Sequence, residues 1–183
     1  MFEIFKKNQA PSTGLVEKLN RNPQDVEMNI QKWLTEEQFE TRKVFDERSN
    51  FRFIANRPGT PMFSVSQPKN KLDSILVESW ITFNGVEKEK ITHLFTQNPS
   101  ILLDLRLQFE SKGLLYNIQP PGANNDKPAA ILFAKSVYFD GISKDRLLET
   151  ALNLLHMFAF IALTIQRHLT SMRADTSVPS YLR

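Results

Sequence analysis

The C-terminal third of this chain carries a helix too apolar to lie alone on a surface. From Lys144 to about Met172 there is neither proline nor glycine, so a helix can run unbroken. Ser143 stands where an N-cap belongs, and Asp145 complements the positive end of the helix dipole. Leu147, Leu148, Ala151, Leu152, Leu154, Leu155, Phe158, Ala159, Ile161, Ala162 and Ile165 occupy nearly the whole circumference. A surface helix needs an apolar stripe of only about 100°. One face can cover a sheet. The remainder needs a second covering, because a large apolar patch facing water is unfavourable. That covering is either a second subunit or other helices of the same chain, and a homodimer is the expectation. The residues expected to make contact with a partner are Leu154, Leu155, Phe158 and Phe160. The most apolar part, Leu154 to Ile165, falls short of the roughly 20 residues a membrane span needs and contains His156, so no span is expected.

Composition narrows the chemistry. With 183 residues the chain can bury an ordinary hydrophobic core. It has no cysteine, which removes disulfides, thiol nucleophiles and cysteine-based zinc sites, and which fits a reducing cytoplasm. The start, Met1-Phe2-Glu3-Ile4-Phe5-Lys6-Lys7, lacks the continuous apolar segment of a signal peptide. The net charge is +3, and lysine alternates with glutamate in Glu87-Lys88-Glu89-Lys90, so the basic residues form no long stripe.

Periodicity supplies the remaining elements. Residues 1–23 are polar with two prolines and read as an arm outside the fold. Val26, Ile30, Trp33 and Leu34 recur at helical spacing, predicting a first helix from Asp25 to about Glu40. Phe51, Phe53 and Ala55 alternate, the turn Arg57-Pro58-Gly59 follows, and Met62 to Ser66 returns. Ser74 to Phe83 is a third strand. Val86 to Gln97 reads as a helix. Asn98-Pro99 interrupts it and starts a second one, which Gly113 closes. Strands over Leu114–Ile118 and Ala129–Tyr138 follow, joined by a loop over 120–128, before the last helix. Residues 173–183 read as a tail. The order α-β-β-β-α(broken)-β-β-α predicts one α+β domain over 24–172, a twisted antiparallel sheet of about five strands with helices on one face.

Catalytic signals are sparse. His93, His156 and His168 have no helical zinc-pair spacing, and His156 reads as a core or interface histidine. No glycine-rich phosphate loop and no G-x-S-x-G elbow occurs. Asp46, Glu47, Asp73, Glu78 and Asp104 read as turn, surface or capping residues. No catalytic, metal or cofactor-binding residue is assigned and no cofactor is expected. Phe51-Arg52-Phe53 has the composition of a single-strand stacking platform, yet a half-buried strand produces the same letters.

The element order, with Trp33-Leu34, Phe51-Arg52-Phe53-Ile54 leading to Pro58-Gly59, Phe63-Ser64-Val65 with Gln67-Pro68, and Ile75 to Ile81, resembles an uncharacterised archaeal family with the type III secretion chaperone-like fold. In chaperones of that fold a homodimer binds an extended stretch of a client protein. The resemblance implies a dimeric, non-catalytic binding module. Capture of an extended peptide would use an open sheet edge around Phe63 and Val65, or any uncovered part of the last helix. One alternative is a weak nucleic-acid binder using Arg48, Arg52, Arg57, Lys69 and Lys71. Another is a small-ligand enzyme, which needs a pocket with perturbed titratable groups.

Overall fold

The computed structural model describes residues 23–119 and 129–176, with side chains up to residue 170. The first helix, α1 (Pro23–Glu36), buries Val26, Ile30 and Leu34. It stops earlier than its apolar spacing predicts, because Gln38 takes a left-handed backbone (φ 62°) that redirects the chain. Phe39 therefore leaves the helix and meets Phe63 edge to face at 5.2 Å. The next four residues, Glu40–Lys43, form a strand, β1, that the sequence pattern does not predict; only Glu40 falls within the predicted helix.

Five further strands complete the sheet: β2 (Ser49–Asn56), β3 (Phe63–Pro68), β4 (Ser74–Phe83), β5 (Leu115–Gln119) and β6 (Ala129–Tyr138). Their order in space is β1-β2-β3-β4-β6-β5, all antiparallel. Six strands therefore replace the expected five, within the expected α+β class. The register sets Phe53 beside Val65 and Val65 beside Val77; Ala55, Phe63, Ser79 and Phe133 make a neighbouring row. Because side chains alternate along a strand, these rows give one face of the sheet to the core.

The other helices pack on that face. Helix α2 (Gly85–Gln97) buries Ile91 and Leu94, and α3 (Pro99–Ser111) buries Ile101, Leu105 and Phe109. They are separated at Asn98-Pro99, as the sequence predicts. Phe109 stacks on both Tyr116 and Phe133. At the end of α3, Leu114 N–H donates to the Phe109 carbonyl and Gly113 N–H to the Glu110 carbonyl, both at 2.9 Å. This double closure needs the positive φ that Gly113 adopts. A single 3₁₀ turn (Phe139–Gly141) leads into α4 (Lys144–Thr176), which is 33 residues long and unbroken. Its N-terminus is capped as expected, with Arg146 N–H donating to Ser143 Oγ at 3.1 Å. The loop expected over 120–128, the arm over 1–22 and the tail beyond 176 lie outside the described residues.

Candidate interaction surface

Helix α4 lies over β4 and β6 and beside α2. It buries Leu147, Ala151, Leu154, Leu155, Met157, Ile161 and Ile165 against the core. At 3.6 residues per turn these fall on one side. The opposite side carries Leu152, His156, Ala159, Phe160 and Leu163, all exposed. Leu152 is 52% exposed and Leu163 65%, well above what apolar side chains in a core show. The surplus of apolar residues noted in the sequence is thus divided: half serves the core, and half faces solvent in a line.

This division sorts the residues expected to meet a partner. Leu154 and Leu155 are buried within their own subunit, Phe158 is half-buried against the core, and Phe160 belongs to the exposed line. Leu152 and Leu163 belong there too and were not singled out; their spacing of eleven on a helix wheel, opposite Leu154 and Ile161, is the signal that finds them. His156 is exposed on the same line, not held in a core.

The expected open edge at Phe63 and Val65 requires correction. Strand β3 lies between β2 and β4, and both side chains are fully buried. Among the described residues the edges are β1 and β5. β1 reads Glu-Thr-Arg-Lys, the charged composition that discourages strand addition. β5 reads Leu-Tyr-Asn-Ile-Gln, without a charge, and Leu115 on it is exposed.

The five basic residues do not form one patch. Arg48 and Lys69 are adjacent, with Lys69 N–H donating to the Arg48 carbonyl at 2.8 Å. Arg57 lies just past the far end of β2, an eight-residue strand or about 27 Å away. Arg52 is held between Asp46, at 3.3 Å, and Glu78, and also donates to Ser64. Arg48 N–H donates to the Asp46 carboxylate, and with Ser49 and Arg52 it holds that carboxyl below the ordinary range. Glu78 and Asp46 are thus parts of a structural ion-pair cluster on the sheet face opposite the helices.

Cavities open between the elements. One of about 390 Å³ is lined by Ile81, Phe83, Ile91, Ile165 and Leu169 among others. A second, of similar volume, lies between α3 and α4 and is lined by Lys112, Lys135, Asn153, His156 and Phe160 among others. A third lies at Leu72, Asp73 and Tyr138 to Asp140. Among the described residues, titrations are displaced at Asp46, at the Glu36–Lys144 contact, and at Tyr116, which burial and its hydrogen bond to Glu110 push up. Among the described residues, no group of three or more His, Asp and Glu could hold a metal ion.

By length and composition α4 could cross a membrane: an 18-residue stretch within residues 144–170 reaches a mean hydropathy of 1.6. This stretch is longer than the dozen residues judged from the sequence. Its inner side nevertheless forms the domain core, and moving it into lipid would expose the sheet residues it covers.

Fold and surface together define a small α+β protein with helices on one side of an open sheet and an apolar, solvent-facing line on its longest helix. The chain belongs to the uncharacterised conserved protein family DUF2299, whose model matches residues 26–165. A solved structure, that of an uncharacterised protein from Methanothermobacter thermautotrophicus, is similar at 26% identity with a TM-score of 0.66, covering 78% of this chain and 97% of that one. Comparison with the curated proteins finds no match. The uncharacterised archaeal family expected from the residues is thereby found; likeness to secretion chaperones is not part of what matches.

Proposed function

We propose that this protein is a cytoplasmic, non-catalytic protein-binding module that works as a homodimer. The observation that carries this reading is the exposed line Leu152–Phe160–Leu163 on α4, opposite the buried side of the same helix. Each fully buried large apolar side chain contributes roughly 1.5–3 kcal/mol. Two copies bring six such side chains, each now 40–65% exposed, out of water together. With α4 occupied by a second subunit, the uncharged β5 edge is the place for an extended segment of a client, through main-chain hydrogen bonds.

Sedimentation velocity at micromolar concentration tests the assembly. A dimer is expected, and Leu163→Glu should shift it to monomer with an unchanged circular dichroism spectrum, because Leu163 is 65% exposed in the single subunit. A monomer at every concentration tested overturns the reading.

A further inference from the structure

We infer that two copies pair through α4 in antiparallel fashion, about a two-fold axis that crosses the helices near Met157 and Phe158. This rests on the homodimer reading and adds its geometry. The exposed line is not only apolar; it is complementary to its own reversal. Leu152 and Leu163 stand equally far on either side of that midpoint, and Glu149 and Arg167 do so to within one residue. His156 has its mirror positions at Ala159 and Phe160. All seven fall within about 100° of arc on the side away from the core. An isologous contact requires a patch that matches itself under a two-fold rotation. Reversal sets Leu152 against Leu163 of the second copy, and His156 against Ala159 of the second copy with Phe160 one residue further on.

Charge decides between the two possible directions. Parallel pairing would place Glu149 beside Glu149, His156 beside His156 and Arg167 beside Arg167, with like charges meeting at both ends. Antiparallel pairing places each Glu149 beside an Arg167. Glu149 already accepts a hydrogen bond from Arg146 on its own helix at 3.2 Å, with both side chains more than half exposed, so it is free to share a second guanidinium. A lipid surface fits the line less well. Helices that lie in a membrane interface carry a rim of lysine and arginine beside the apolar face, whereas this line has an acid at one end and a base at the other.

The chain has no cysteine, so introduced thiols are the sole ones and cross-linking has no background. Leu152→Cys and Leu163→Cys are made separately, then oxidised alone and as an equimolar mixture after subunit exchange, with sedimentation run in parallel. The expected result is a cross-linked dimer in the mixture and none in either variant alone. In the antiparallel pair, copies of the same residue stand about 16 Å apart along the helix, beyond the roughly 7 Å that a disulfide spans between Cα atoms. Glu149→Arg and Arg167→Glu should each weaken the dimer about tenfold, and the double variant should restore it. Dimers that cross-link in the single variants, or not at all, overturn the arrangement while leaving the homodimer standing. Monomers throughout, or association seen only with anionic phospholipid vesicles, overturn both.

Discussion

Phe63 shows how a residue can be read correctly in conformation and wrongly in position. Its alternating neighbourhood marks a strand, and a strand it is. Whether that strand is central or peripheral depends on which others flank it, and no local pattern carries that information. The serines at 64 and 66, which look polar enough for an open edge, are buried because they are small and lie between two neighbours. Phe63 is fully buried and meets Phe39, which lies between α1 and β1. Phe63→Ala should therefore lower stability by about 3–5 kcal/mol, read as a shift in the denaturation midpoint. A loss below about 1 kcal/mol would show that the site collapses around the missing ring. Arg52 teaches the complementary lesson. Flanked by aromatics it resembles a nucleic-acid contact, yet Asp46 and Glu78, from other segments, hold it in place.

At the scale of elements, segments with a strong period or a strong stop signal were legible. Ala129–Tyr138, Ser74–Phe83 and the break at Asn98-Pro99 fall where the sequence places them. β1 was not legible, because Glu-Thr-Arg-Lys has neither apolar alternation nor β-branched enrichment beyond Thr41; its pairing with β2 makes it a strand. Phe39 compounded the error by continuing the helical spacing past the point where Gln38 turns the chain. The stop at Gly113 was legible because only glycine takes a φ of +61° without cost. A Cβ there meets nothing within 4 Å, so Gly113→Ala tests backbone strain alone. It should cost about 1 kcal/mol, detectable as a small fall in melting temperature with the native circular dichroism spectrum retained.

Across the whole molecule, the contact least visible in the sequence joins α1 to α4, 108 residues apart. Lys144 Nζ donates to Glu37 at 2.7 Å and to Glu36 at 2.9 Å. Glu37 and Glu36 raise the Lys144 pKa above its ordinary 10.5, and Lys144 lowers that of Glu36 below its ordinary 4.5. The carboxylate's contribution is complete above 4.5 and fades as pH falls through its lowered value; the ammonium's is complete below 10.5 and fades as pH rises through its raised one. Lys144→Met should therefore melt lower than the native protein near neutrality. The difference should shrink in acid below 4.5 and in alkali above 10.5. A gap that stays constant across the titration would remove the link.

The unlike edges of the sheet have a consequence for growth. One rim, charged, ends the ladder; the other, neutral, leaves it open. A lone subunit with one permissive rim can only cap another of its kind. Two subunits joined through α4, as proposed, would present two such rims, a bifunctional monomer in the polymer chemist's sense, able to extend into chains only well above the micromolar concentration at which the discrete pair is expected. A client strand laid along each rim would act as a chain terminator.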